Sequence, residues 1–324
     1  MQWAGIYLED CTQCIVADNH IFNFAASIIA DKADIVIYKN CSFNTVRGNR
    51  CFGGENAVHG ILIQDPGGAG TFLPQHNKIV DNWIGDHTGY GIALYVGGIV
   101  DSFNQIIGNT IQNITGTYLD GKSGTGIYCV GGGIGGVQVV NNVVRSCCLK
   151  TKWAENGPGG ITIADSALGT TRAVVTGNTV QNMVQASGIL IVDAMAGAIV
   201  SNNSIRMPDT NIGNGPGGDE LVGAGIRIHD SSDVDVTGNT VLHSGRGDAF
   251  LAIATTSSFD RINVSGNLFR AAIGHALRID RTSGYVHTDC VVSGNQMRTD
   301  GTQAAMFLVG TDRVAITGNN GGAN

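Results

Sequence analysis

The sequence predicts an all-β solenoid of about 11 coils, and three observations carry that expectation. An asparagine recurs between short β-type runs, most clearly as VTGN at Val175–Asn178 and Val236–Asn239, VSGN at Val264–Asn267 and Val292–Asn295, and ITGN at Ile316–Asn319. With looser flanks, Asn19, Asn40, Asn82, Asn109, Asn142 and Asn203 occupy the same slot, so successive asparagines lie 21 to 42 residues apart. A Gly-Ile-x-Ile run interleaves with them, starting at Gly5, Gly60, Gly91, Gly126, Gly160, Gly188 and Gly225, with weaker forms at Ser27, Phe250, Ala276 and Ala305. No apolar run keeps helical spacing over a dozen residues.

Each coil therefore reads as three strands. The Gly-Ile-x-Ile run comes first, a turn follows, V-x-V-x-G-N supplies the second, and a short segment such as Thr179–Asn182 supplies the third. All three are short and alternating, and rich in Val, Ile and Thr, the residues that suit a pleated, half-buried surface. One coil cannot bury its own inward face. Stacked at about 4.8 Å, every strand gains hydrogen-bonded neighbours above and below. Ile161, Ile189 and Ile226 would form one interior column, and Ile163, Ile191 and Ile228 another. Asparagine suits the corner because it tolerates the left-handed backbone, and its amide can bond to the same amide one coil away. The resulting rod would be roughly 50 Å long.

With these motifs the chain, from Trp3 to Asn319, resembles the right-handed parallel β-helix superfamily: pectate-lyase-like enzymes, alginate and chondroitin lyases, C5-epimerases and phage tailspike depolymerases. The resemblance implies a right-handed single-stranded parallel β-helix, with the Asn ladder between the second and third strands and the variable loop before the first. It is specific for the fold and weak for the reaction, since no family-defining catalytic motif is evident.

Composition narrows the classes. The 324 residues suit one long solenoid domain, 1–324, and 48 glycines suit tight turns in every coil. A net charge of −7 argues against a nucleic-acid partner, and no run of 18 apolar residues exists to span a membrane. No signal peptide is visible at Met1. Among the eight cysteines, Cys14, Cys129 and Cys290 fit inward strand positions, and vicinal Cys147 and Cys148 fall in a loop. Cys11 and Cys14 form a CxxC with no second pair at zinc spacing, so no metal is expected there. This pattern fits a chain made in a reducing cytosol. Neither end shows a cap, so the expectation is a fragment, or ends covered by other subunits.

Long loops on a rigid scaffold are the usual place for binding and catalysis. The gap from ladder Asn to next strand is 20 residues after Asn40, 17 after Asn109, 18 after Asn142 and 22 after Asn203. These loops carry Tyr118, Asp120 and Lys122; then Lys150, Lys152, Trp153 and Glu155; then Asp209, Asp219 and Glu220. Trp153 and Tyr118 would stack on sugar rings; otherwise they pack their own loops onto the rod.

Outward residues of the first strand would floor a groove: Leu62 and Gln64, Ala93 and Tyr95, Tyr128 and Val130, Thr162 and Ala164, Leu190 and Val192. Then come Arg227 and His229, a gap at Ala252 and Ala254, and Arg278 and Asp280, with Asp248 and His275 on adjacent loops. Arg with His would neutralise a uronate and move its α-proton; the bland alternative is an exposed Arg–Asp pair. Asp165, Asp193 and Asp230, and farther off Asp65, sit five residues after the glycine slot. Neighbouring coils would set such carboxylates about 5 Å apart and alternate coils about 9–10 Å, which bracket retaining and inverting glycosidases. Turn-capping is the stronger expectation for this row, ahead of acid catalysis and of Ca²⁺ binding.

The leading expectation is a tailspike-like depolymerase that hydrolyses bacterial surface polysaccharide as a homotrimer on a virion tail or outside the cell. It would need no cofactor, with Ca²⁺ the one ion the acids would attract. The alternatives are a uronate lyase or C5-epimerase, and a non-enzymatic adhesive rod.

Overall fold

The computed structural model describes residues 4–22, 33–54, 58–65, 74–97, 101–116, 124–132, 134–148, 159–164, 171–183, 186–194, 197–208, 223–245, 247–255, 259–281 and 284–323. Three sheets of 11 parallel strands run through them, each strand pairing with its counterparts one coil away. One coil shows the plan: Ser187–Val192 in the first sheet, Ala198–Ser201 in the second and Ser204–Met207 in the third. A short fourth sheet joins Phe259–Asp260, His287–Thr288 and Thr311–Asp312. The chain is a right-handed parallel β-helix of 11 coils.

Register explains the motifs. Ile61, Ile92, Ile127, Ile161, Ile189 and Ile226 stack in one inward column, and Ile63, Leu94, Cys129, Ile163, Ile191 and Ile228 in the next. All twelve are fully buried, and they anchor one continuous core. The glycine before each Ile has a specific cause. A Cβ at Gly60 would meet Ile84 Cγ2 at 2.4 Å, at Gly91 Ile111 Cγ2 at 2.4 Å, and at Gly225 Val241 Cγ1 at 2.2 Å. The inward residue of the third sheet fills the volume a side chain would need.

The asparagine column is continuous from Asn19 through Asn49, Asn82, Asn109, Asn142, Asn178, Asn203, Asn239, Asn267 and Asn295 to Asn319. Each Nδ2 donates to the next Oδ1 at 2.9–3.0 Å. Each Oδ1 also accepts the backbone N–H of the asparagine before it, as Asn239 Oδ1 does from Asn203 at 2.9 Å. A shorter, unforeseen ladder links Asn44, Asn77 and Asn104 at the entry to the second sheet.

The structure corrects several expectations. Asn40 is not in the ladder; its Nδ2 donates to Asp10 at an exposed turn, and Asn49 holds the slot. The second-coil strand is Ala33–Tyr38, with Asp34 rather than Ser27 in the glycine slot. The segment assigned after Asn40 is therefore not one loop: it holds the strands Thr45–Arg47 and Arg50–Phe52 with the ladder residue Asn49 between them. Ala252 points inward between Ile228 and Ile279, and Leu251 and Ile253 face out beside Arg227 and His229. The glycine slot of that coil is Ala249, one residue before the position that Phe250 suggested. Cys14 and Cys290 lie off the strands, Cys14 partly exposed and Cys290 buried, while Cys129 is on one.

Candidate functional site

The outer face of the first sheet changes character along the rod. In the early coils Tyr38, Tyr95 and Tyr128 border a patch of Val36, Leu62, Tyr90 and Ala93. Tyr90 and Tyr128 stack at 4.7 Å, and Tyr95 meets Tyr128 edge-on at 5.8 Å. Val130, Ala164, Leu190 and Val192 continue the face without charge. Farther on, one outward row reads Leu190, Arg227, Leu251, Arg278, Phe307, and the row beside it reads Val192, His229, Ile253, Asp280.

Arg227 and His229 are 2% and 4% exposed, which sets their chemistry. Burial pushes the Arg227 guanidinium down to about 10, with Asp230 opposing. Burial, then Arg227, pushes His229 down to about 4, so the imidazole is neutral at neutral pH. Thr255 fixes the tautomer. Its hydroxyl donates to Asp230 Oδ2 at 2.7 Å and so accepts from His229 Nε2–H at 3.0 Å. His229 Nδ1 then lies 3.6 Å from Asp230 Oδ2, beyond hydrogen-bond length.

The acid row has a conformational cause. Asp193 and Asp230 sit at the strand end with φ of 52° and 44°, and Asp10 and Lys39 hold the same left-handed place in the first two coils. Aspartate tolerates that conformation better than most residues. The buried Asp230 carboxylate also accepts Thr255 N–H at 2.8 Å, clamping the next coil's turn. Asp193 is partly exposed, and its N–H donates to His229 O at 3.1 Å.

A second charged group lies in the next two coils. Arg278 reaches Asp280 Oδ2 through Nε at 3.0 Å and also through Nη2, while its Nη1 is 3.7 Å from Asp248 Oδ2. Asp248 Oδ1 accepts the His275 N–H at 2.6 Å. Burial raises the Asp248 carboxyl above its ordinary value, against the pull of the His275 amide and Arg278. His287, buried and pushed down by burial, bonds Asp280 O through Nε2 at 2.6 Å and so holds that strand end. Phe307 closes the group, with His275 stacked on it at 4.9 Å and Arg278 over it at 5.7 Å. Two carboxyls thus flank one guanidinium, one of them held toward its neutral form by burial.

Arg227, His229, Asp230, Arg278 and Asp280 therefore share one stretch of the first-sheet face, and Tyr95 and Tyr128 share another, about 14–19 Å away at one coil per step. Asp165, Asp219, Glu220, Tyr118, Lys152, Trp153 and Glu155 lie outside the described residues. Thr255, His287 and Phe307 had no sequence signal, because their roles depend on which coil lies beside which. Among the described residues no group of three or more His, Cys, Asp or Glu is arranged to hold a metal ion.

A family model described as "Right handed beta helix region" matches residues 1–168 and 125–320. No curated protein matches the sequence. Among solved structures, the Dettilon tailspike protein is similar at 14% identity and a TM-score of 0.53, over 94% of this chain and 60% of its own. The Azotobacter vinelandii mannuronan C-5 epimerase AlgE4 A-module is similar at 14% identity and a TM-score of 0.54, over 96% of this chain and 76% of its own. A double mutant of the periplasmic alginate epimerase AlgG is similar at 12% identity and a TM-score of 0.56, over 94% and 69%. At such identities the likeness is one of fold. The chain spans less than two thirds of the tailspike's length.

Proposed function

Because the chain belongs to the right-handed β-helix family, we propose that it is a carbohydrate-active rod, a tailspike-like depolymerase that hydrolyses a bacterial surface polysaccharide along its first sheet. The observation that carries this reading is the placement of Asp248 and Asp280 on either side of Arg278. A glycosidic bond needs one carboxylic acid to protonate the leaving oxygen and one carboxylate to act as base or nucleophile. Asp248, raised by burial, takes the acid role. Asp280, held by Arg278, takes the other. Tyr95 and Tyr128 would hold sugar rings farther along the face. Asp230 and Thr255 position His229 and the adjoining turn. The homotrimer and the site on a virion tail or outside the cell belong to the same proposal.

The test is a panel of capsular and lipopolysaccharide substrates, scored for new reducing ends. Hydrolysis that disappears in Asp248→Asn and Asp280→Asn supports the reading. Undiminished hydrolysis in both sinks it. Sedimentation of the purified chain tests the trimer.

One observation favours a second reading, a uronate lyase or C5-epimerase: neutral His229 is placed beside Arg227. A neutral imidazole can take an α-proton while a guanidinium neutralises the carboxylate. A product absorbing at about 230–240 nm, from the conjugated double bond that proton abstraction leaves, would select the lyase.

A further inference from the structure

The CxxC at Cys11 and Cys14 takes no part in the chemistry above, and its setting is specific. All eight cysteines are free thiols, six of them buried; only Cys11 and Cys14 are partly exposed. The Asn44 amide spans the pair, accepting from Cys14 N–H at 2.8 Å and donating to Cys11 O at 3.0 Å. In the next coils the Cys14 slot holds Asn44 and then Asn77, so Cys14 heads that short ladder. Asn44 thus ties the two cysteines across the turn, and each thiol donates to a backbone carbonyl two residues before it, Cys11 to Glu9 O at 3.1 Å and Cys14 to Thr12 O at 3.7 Å. Cys41 sits one coil below, its Sγ accepting from Cys11 N–H at 3.3 Å, but it is buried.

We propose that Cys11 and Cys14 form an oxidisable dithiol that closes to a disulfide in the presence of a peroxide, linking the two ends of the first coil's turn. The Cys11 thiolate attacks one peroxide oxygen: an S–O bond forms, the O–O bond breaks and water leaves. The Cys14 thiolate then attacks the Cys11 sulfur: the S–S bond forms, the S–O bond breaks and a second water leaves. Two thiols and one hydrogen peroxide give one disulfide and two waters. Asn44 supplies the specificity, because its amide holds the backbones of Cys11 and Cys14 together across the turn.

The experiment treats the full chain with hydrogen peroxide and maps it by tryptic digestion without reduction. Cleavage after Lys32, Lys39 and Arg47 places Cys11 and Cys14 together and Cys41 apart. The expected result is a 1–32 peptide lighter by two hydrogens and the loss of two reactive thiols from the native protein. C41A should oxidise in the same way. C14S should leave Cys11 as a sulfenic acid trapped by dimedone, with unchanged far-UV circular dichroism reporting that the rod is intact. An unchanged 1–32 peptide, or one cross-linked to the peptide carrying Cys41, would overturn the proposal.

Discussion

At the scale of single residues, the asparagine column makes the sharpest distinction. Asn239 joins three coils: its Nδ2 donates to Val200 O and Asn267 Oδ1, and its Oδ1 accepts Asn203 N–H and Nδ2. Asn239→Ala would strand several buried polar groups, at a cost on the order of 3 kcal/mol or more. Asn40→Ala removes an exposed turn contact and should cost under about 0.5 kcal/mol. Urea denaturation of the two variants measures the contrast. His229 gives a pH prediction whose sign follows from its burial. The unfolded chain takes up a proton below about 6.5, while the folded imidazole stays neutral down to about 4. Stability contributed by neutral His229 is therefore present above 6.5 and lost as pH falls towards 4. His229→Gln should flatten that part of the stability profile. Asp248 has the opposite sign: its raised carboxyl costs stability as pH rises above its ordinary value, since only the unfolded chain ionises freely.

At the scale of the strand and turn, Gly-Ile-x-Ile is a packing rule between sheets. Gly60→Ala and Gly91→Ala would drive a methyl into Ile84 and Ile111 and also toward a carbonyl oxygen, an overpacking of about 1–3 kcal/mol each. Gly322→Ala, with nothing within 4 Å, should be near neutral. Thermal melts of the three variants check the rule. This logic also explains what was legible in the sequence. Period-two alternation with a fixed asparagine fixes the three sheets and most of the ladder, and the inward Ile columns follow. Errors arose where the slot residue was not glycine. Asp34 replaces it in the second coil, paired with buried His87 at 3.0 Å, and Ala249 replaces it in the ninth. One missed slot moved a strand, and one shifted register exchanged Ala252 for Leu251. The candidate acids were less legible still. Their positions five after the glycine suggest a turn ahead of a catalytic row, and a left-handed turn accounts for Asp193 and Asp230 on conformational grounds. Asp248 precedes its strand, and only the register of two neighbouring coils brings it to Arg278.

At the scale of the whole molecule, the first-sheet face carries an aromatic stretch, an apolar stretch and a charged stretch in series along a rod of about 50 Å. A long glycan lying along it would touch all three. Tyr95→Ala and Tyr128→Ala should then raise KM for long oligosaccharides severalfold and leave short ones little changed, since stacking on a ring contributes about 0.5–1.5 kcal/mol. The central claim concerns the charged stretch, and product analysis reaches it most directly. A cleaved polysaccharide should show new reducing ends without an unsaturated product, with activity falling by about 10²–10⁴-fold in Asp248→Asn and its melting temperature maintained. Full activity in Asp248→Asn and Asp280→Asn alike, or an unsaturated sugar at the new end, would contradict it.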